Sequence, residues 1–143
     1  MHLSSEDLSV WLLALSQQPD LASGAIYQHV LCNKHIQCEE DGNQFPWWWK
    51  RSCSLRIDVL IHQPQRIIVV EVKPRCGLSA IGQAAGYAYI YTAQEKPTVP
   101  VKPWVVCHAA QPDVLDFAEH AGVQVLEVGW PEGESALGFS LLL

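Results

Sequence analysis

Two acidic residues and a lysine lie in a stretch rich in β-branched residues, and their spacing suits a metal site. Asp58 lies in the run 55–62, and Glu71 and Lys73 lie in the run 67–73. Carboxylate oxygens, together with a backbone carbonyl and water, are the ligands that Mg²⁺ and Mn²⁺ prefer. Lys73 projects to the same side of a strand as Glu71, where its ammonium group can stabilise negative charge or orient a water molecule.

The two runs are predicted to form a β-hairpin that positions these side chains, because only the short polar segment 63–66 separates them. A turn centred in this segment places Asp58 opposite Glu71 and Arg56 opposite Lys73, all on one face. The other face is entirely apolar: Ile57, Val59, Ile61, Ile68, Val70 and Val72. Burial of the apolar face should fix the register, since a slip of one residue would turn the charges inward.

Two carboxylates that face each other across a hairpin repel and destabilise it. Leu60, Ile67 and Val69 share the face of Asp58 and Glu71, so we expect that face to be partly covered. A divalent cation between the two carboxylates would remove the conflict. The alternative is a solvated face on which nearby basic residues neutralise both acids.

At these residues the chain resembles the PD-(D/E)xK nuclease superfamily, which has the restriction-endonuclease-like fold. The likeness lies in Asp58, a hairpin turn and then Glu71-x-Lys73. The next helix adds a segment similar to the Gln-x-x-x-Tyr motif of the RecB-type branch, Gln83-Ala84-Ala85-Gly86-Tyr87. Arg56-Ile57-Asp58 also resembles the end of the Asp-Arg-Ile-Asp motif of that branch, with Leu55 in place of the first Asp. The sequence resembles the superfamily well over residues 50–93. In the rest of the chain only the expected order of helices and strands is similar.

The resemblance implies a divalent-metal-dependent nuclease that hydrolyses phosphodiester bonds of nucleic acid, with DNA as the expected substrate. It implies catalytic roles for Asp58, Glu71 and Lys73. Asp58, Glu71 and the backbone carbonyl of Val72 would bind the cofactor, Mg²⁺ or Mn²⁺. The alternatives are a non-catalytic module that binds nucleic acid or protein on a nuclease-like fold, and a structural subunit of a larger complex.

Substrate-positioning roles are assigned to Gln83, Tyr87 and Arg56. Gln83 and Tyr87 lie on a helix predicted over residues 78–92, four residues apart and therefore one turn apart on one face. Taken singly, Gln83 reads as an exposed polar residue and Tyr87 as part of the core. Their joint position behind Glu71 and Lys73 favours the functional interpretation.

The superfamily usually has a helix ahead of the hairpin, often with a metal-binding Glu. A helix is predicted from Ser4 to Gln18, with Ser4 as its N-cap and acids in its first turn. Glu6 is either that metal ligand or only an acid that suits the helix dipole.

A second helix is predicted from Asp20 to His35, with an apolar set of Leu21, Ile26, Val30 and Leu31. Histidine and cysteine recur at every third residue from its second half onward, which suggests zinc: His29, Cys32, His35 and Cys38. An α-helix has 3.6 residues per turn, so side chains at every third residue point in progressively different directions. All four could therefore bind one metal ion only if the helix breaks. The resemblance makes His29 a candidate metal ligand, against a structural histidine.

The length of 143 residues indicates a single domain, which the resemblance implies is nuclease-like over residues 1–143. Its 49% of hydrophobic residues can build a core. No run approaches the roughly 18 apolar residues that span a membrane, and the N-terminus lacks the features of a signal peptide. The five cysteines are therefore expected to be free thiols in a reducing cytoplasm.

The net charge of −6 argues against a simple nucleic-acid binder, but the charge is unevenly distributed. Residues 50–75 hold six basic and two acidic residues, a local charge of +4 around the predicted site. The rest of the chain is acidic, which favours a weak intrinsic affinity for nucleic acid or delivery of the substrate by a partner. The run Trp47-Trp48-Trp49 beside Lys50 and Arg51 could stack on unpaired bases, form a protein interface or homodimer contact, or pack as a strand edge.

The last third predicts a loop over 95–103, a strand over 104–107, a helix over 112–120 that ends at Gly122, and a strand over 123–128. This order favours parallel additions to the sheet. The expected fold is thus α/β, a restriction-endonuclease-like core with a central mixed β-sheet flanked by helices.

Overall fold

The computed structural model describes residues 3–31 and 55–130. The strands are β1 (Ala25–Leu31), β2 (Arg56–His62), β3 (Ile67–Val72), β4 (Arg75–Cys76), β5 (Val101–Cys107), β6 (Ala109–Ala110) and β7 (Gln124–Glu127). The helices are α1 (Ser5–Gln17), α2 (Leu78–Glu95) and α3 (Pro112–Ala121), and a 3₁₀ turn spans Pro19–Ala22.

The central sheet is mixed and has the order β1-β2-β3-β5-β7 in the described part of the chain. Strands β1, β2 and β3 pair antiparallel, whereas β3, β5 and β7 run parallel. Helices α2 and α3 connect the parallel strands, as parallel pairing requires. The predicted fold class and the parallel additions are both confirmed.

The β2–β3 hairpin has the predicted register, with Val59 opposite Val70 and His62 opposite Ile67. Its regular pairing ends at Val59 and Val70. Beyond that point Arg56 pairs with Leu31 of β1. The predicted pairs Asp58–Glu71 and Arg56–Lys73 both lie beyond Val59 and Val70, so neither is part of the regular pairing. Lys73 lies past the end of β3, where its backbone N–H donates to the Val106 carbonyl at 3.0 Å.

Both faces of the hairpin are buried. Helix α1 packs Val10, Trp11 and Ala14 against the face that carries Val59, Ile61, Ile68, Val70 and Val72. Helix α2 packs Ala88 and Tyr91 against Leu60, Ile67 and Val69 on the other face. The predicted apolar face is confirmed except for Ile57, which packs with the α2 side.

The predicted helix from Asp20 to His35 is wrong over its described part. Pro19–Ala22 forms one 3₁₀ turn, and Ala25–Leu31 is strand β1. Gly24 lies so close to β2 that an added Cβ would be 2.1 Å from the His62 carbonyl oxygen. This close approach turns the chain into the sheet, and the backbone hydrogen bonds with β2 replace those of a helix.

The predicted loop over 95–103 is too long, because β5 begins at Val101 and includes Pro103. The predicted helices at 4–18, 78–92 and 112–120 are confirmed as α1, α2 and α3. Several predictions lie outside the described residues: those for Cys32, His35 and Cys38, and those for Trp47-Trp48-Trp49 with Lys50 and Arg51. Within residues 3–31 and 55–130, no helix has the length and apolar character to cross a membrane.

Candidate functional site

Asp58 and Glu71 lie where the regular pairing of β2 and β3 ends. The Oδ2 atom of Asp58 accepts a hydrogen bond from the Val72 N–H at 2.9 Å. The Glu71 carboxylate accepts a hydrogen bond from the backbone N–H of Asp58. Each acid thus bonds to the backbone of the opposite strand, and these bonds hold the two carboxylates next to each other.

Glu71 is buried, with 3% of its surface exposed, so the alternative of a solvated charged face does not hold for it. Burial, and after it the charge of Asp58, raises the pKa of Glu71 to about 8 against the opposing effect of Lys73. The Oε1 atom of Glu71 is buried without a hydrogen bond to any described residue. A buried carboxylate oxygen in this state is costly unless a cation or a proton compensates it.

Asp58 is half-buried, and burial is the main reason that its pKa is raised. The Val72 N–H and the charges of Lys73 and His29 oppose this rise. Lys73 is itself half-buried, directly after β3, and its charge favours the ionised form of both acids. The structure therefore brings Asp58, Glu71 and Lys73 into one electrostatically coupled group, as the sequence predicted.

A third acid belongs to this group, and the sequence analysis missed it. Asp7 of α1 raises the pKa of both Asp58 and Glu71 through its negative charge, after the larger effect of burial. Glu6, the predicted candidate, is exposed. Helical spacing could have identified Asp7, because it lies three and four residues before the buried Val10 and Trp11 and so on the inward face of α1.

His29 lies on β1, not on a helix. The pairing of β1 with β2 passes from Gln28–Val59 to Val30–Ile57, which places His29 beside Asp58. His29 has a φ of 55°, a left-handed conformation that is unfavourable for a residue with a side chain. Its charge lowers the pKa of Asp58, so it is close enough to act on the acid pair, although burial has the larger, opposite effect.

Gln83 and Tyr87 lie one turn apart on α2, as predicted. Tyr87 packs against the cluster that contains Ile57, the residue next to Asp58. Gln83 is exposed and precedes it by one turn. Arg56, the third predicted positioning residue, is exposed on β2 two residues before Asp58.

The donors at this site fit a hard divalent cation that keeps part of its water shell. In residues 3–31 and 55–130, no three side chains of His, Cys, Asp or Glu are arranged to hold a metal ion by themselves. Two carboxylates, one of them with an unbonded buried oxygen, remain. Mg²⁺ is commonly held by one or two carboxylates, water and substrate phosphate, which is the kind of donor set available here.

No protein-family model matches the sequence, and no curated protein matches it. Solved structures do resemble the fold. A repair endonuclease from Pyrococcus abyssi superposes with a TM-score of 0.52 at 15% identity, over 92% of this chain and 50% of the other. A complex of EndoMS with double-stranded DNA superposes with a TM-score of 0.50 at 16% identity, over 91% of this chain and 48% of the other.

A protein of unknown function also superposes, with a TM-score of 0.50 at 17% identity, over 94% of this chain and 64% of the other. The chain thus spans about half the length of the two endonuclease structures. At these identities the likeness concerns the fold alone, which this chain shares with the two endonuclease structures. The assignment to the RecB-type branch stays a prediction.

Proposed function

We propose that this chain is a divalent-metal-dependent nuclease that hydrolyses phosphodiester bonds, with DNA as the preferred substrate. The observation that carries the proposal is the buried Glu71 carboxylate, whose Oε1 atom makes no hydrogen bond to the described residues and lies in a site shared with Asp58. The nuclease-like fold supports the same reaction class. Residues 1–143 would act as one domain.

In this proposal Asp58, Glu71 and the carbonyl oxygen of Val72 hold Mg²⁺ or Mn²⁺. The cation would polarise a phosphate oxygen and lower the pKa of a bound water. The two carboxylates need a positive charge between them, because burial raises the pKa of both and the charge of Asp58 also raises the pKa of Glu71. Asp7 and His29 are the nearest candidates to complete or tune the site, since the charge of each acts on Asp58.

Lys73 supplies a positive charge that acts on both carboxylates. Its N–H is anchored to the Val106 carbonyl at 3.0 Å, so the backbone that carries the ammonium group is held against β5. A positioned cation stabilises the negative charge that develops on the phosphate during attack, and can orient the attacking water. Gln83, Tyr87 and Arg56 would place the substrate backbone.

The test is incubation of the purified chain with supercoiled plasmid, single-stranded DNA and RNA, each with Mg²⁺, Mn²⁺ or EDTA. Wild type is expected to cleave only with metal. Glu71→Gln and Lys73→Ala should each lower the rate by about a hundredfold or more, because each removes a charge that acts in the transition state.

Lys102→Ala is the matched control, since Lys102 is an exposed lysine on the parallel neighbour of β3. Its rate should equal that of wild type. Cleavage in EDTA, or full activity in Glu71→Gln, would contradict the proposal. Mn²⁺ that raises the melting temperature of wild type but not of Glu71→Gln, without cleavage of any substrate, would favour the alternative of a binding module.

A further inference from the structure

Two buried cysteines lie near the ends of the parallel strands β3 and β5. Cys107 is the last residue of β5, and Cys76 lies in β4, four residues past the end of β3. Both are free thiols and pack in one apolar cluster that also contains Val105. Only 6% of the surface of Cys76 and none of that of Cys107 is exposed. The nuclease chemistry proposed above uses neither of them.

Backbone hydrogen bonds hold the two segments that carry these thiols side by side. The N–H of Lys73 donates to the Val106 carbonyl at 3.0 Å, and the N–H of His108 donates to the Pro74 carbonyl at 3.0 Å. Further along, β4 pairs in parallel with β6. The chain that leaves β3 thus stays against the chain that leaves β5, which keeps the two cysteines in one place without a covalent link.

The two thiols contact each other directly, and the contact makes them chemically unequal. The S–H of Cys107 donates a hydrogen bond to the sulfur of Cys76, and this bond lowers the pKa of Cys76 and raises the pKa of Cys107. Burial and the charge of Glu127 oppose the lowering at Cys76. Because the thiolate is the nucleophilic form of cysteine, Cys76 is the more reactive of the two.

Access from solvent favours the same order of reaction. Cys76 lines a cavity of about 570 Å³, together with small or apolar residues such as Ser79, Ala110 and Val114. Cys107 is fully buried and is not part of this lining. A small uncharged oxidant such as a hydroperoxide can therefore reach Cys76 from the cavity, with Cys107 in hydrogen-bonding contact on the protein side.

We propose that Cys76 and Cys107 form an oxidative modification site, at which a hydroperoxide converts the two thiols into an intramolecular disulfide. With hydrogen peroxide, the sulfur of Cys76 attacks one oxygen and the O–O bond breaks. This step gives a sulfenic acid on Cys76, and the departing hydroxide takes up the thiol proton as water. The sulfur of Cys107 then attacks the sulfenic sulfur, and the hydroxyl group leaves with the Cys107 proton as a second water. The two thiols together lose two electrons, which reduce the peroxide.

The disulfide would close a loop that contains the whole of α2, because that helix lies between the two cysteines. A cross-link between segments this far apart in sequence stabilises a fold chiefly by restricting the unfolded chain. It would also tie β4 to the end of β5, beside the hydrogen bond between Lys73 and Val106. A thiol reductant would reverse the reaction, so the site would respond to the balance of oxidant and reductant around the protein.

The experiment treats the reduced full chain with equimolar hydrogen peroxide, blocks the remaining thiols with iodoacetamide and digests the protein after glutamate. Cleavage after Glu71, Glu95 and Glu119 places the two cysteines on separate peptides. Mass spectrometry should find the peptide of Cys76 linked to that of Cys107, and dithiothreitol should separate them. The oxidised chain should unfold at a higher urea concentration than the reduced chain. None of these measurements involves nucleic acid, so their outcome is independent of the proposed function.

Two variants test the order of the steps. In Cys107→Ala, which keeps a small apolar side chain in the core, peroxide should leave a sulfenic acid on Cys76 that dimedone traps, without a rise in the urea midpoint. In Cys76→Ser, the fully buried Cys107 should stay reduced.

The mapping of the wild-type chain decides the matter even where a variant does not fold. The chain also has Cys32, Cys38 and Cys53, outside the described residues. Absence of the Cys76–Cys107 link after oxidation, or a link from either cysteine to one of these three instead, would overturn the inference. Oxidation of Cys107 in Cys76→Ser at the rate seen for Cys76 in Cys107→Ala would do the same.

Discussion

The two halves of the β2–β3 hairpin have the same strands but opposite properties. In the half next to the turn, residues 59–62 pair regularly with 67–70, and all of these side chains except His62 are buried and apolar. In the other half the pairing ends, and Asp58 and Glu71 bond to backbone N–H groups instead. The first half fixes the register and buries the apolar surface. The second uses that fixed register to hold two carboxylates together against their repulsion.

This contrast shows how a sheet can carry a destabilising site. A buried carboxylate with an unbonded oxygen costs free energy, and the neighbouring apolar pairs supply the stability that keeps it in place. Residues of the turn half should therefore affect folding, and residues of the acid half should affect metal binding and its pH dependence. Three experiments test this division.

The largest effect is expected from Ile68→Ala in the turn half. Ile68 is fully buried, and truncation of a buried isoleucine costs about 2–5 kcal/mol through lost burial and the cavity that remains. Urea unfolding measures the loss, and the cleavage rate per folded molecule should be unchanged. Gln65→Ala, an exposed residue of the turn, is the control and should change neither quantity. A lower cleavage rate in fully folded Ile68→Ala would break the division.

The next effect concerns the acid half and pH. Glu71 has a pKa of about 8 in the folded chain against 4.5 for the free side chain, so between these values the folded chain keeps a proton that the unfolded chain releases. The free energy of unfolding of the metal-free protein should therefore fall as pH rises from about 4.5 to about 8, by at most about 1.4 kcal/mol per pH unit. In Glu71→Gln this fall should be much smaller. Urea unfolding at several pH values in EDTA checks it, and identical slopes in both proteins would contradict it.

The smallest effect is expected from Asp7→Asn on α1. Its charge acts on both Asp58 and Glu71, so its removal should reduce the affinity for Mn²⁺ by about tenfold, as loss of a supporting group around a metal commonly does. Titration of the Mn²⁺-induced rise in melting temperature measures this. Glu6→Gln removes the same charge from the exposed neighbouring position and should leave the titration unchanged. Equal shifts in the two variants would mean that only net charge matters.

The sequence was sufficient where burial and periodicity dictate the structure. The alternation of apolar residues in 55–62 and 67–73 predicted the register of the hairpin, because it places most of the apolar residues of both strands on one face. The end of α3 was also predictable, since Gly122 has a φ of 74° and caps the helix. The pattern of the two strands, together with the motif on the next helix, thus predicted that Asp58, Glu71 and Lys73 lie close together.

The sequence was insufficient where tertiary contacts determine the secondary structure or the direction of a side chain. Leu21, Ile26 and Val30 satisfy a helical pattern, but residues 25–31 form a strand because β2 offers them a backbone partner. Asp7 was overlooked because the first turn of a helix attracts acids for local reasons, which hides an acid that points inward. A cavity lined by Cys76, Ala110 and Trp130 could not be foreseen, since it is built from segments far apart in the sequence.

The parallel pairing of β3 with β5 has a consequence for the order in which the chain acquires its chemistry. Both carboxylates and Lys73 precede the long helix α2, but the N–H of Lys73 is bonded to Val106, and the Pro74 carbonyl accepts from the N–H of His108. Contacts between segments this distant in sequence form late in folding. During synthesis, a chain that has passed Lys73 but not yet reached β5 therefore holds the acidic residues without the support that orders them. Such a timing would leave the acidic group unsupported until β5 has been synthesised.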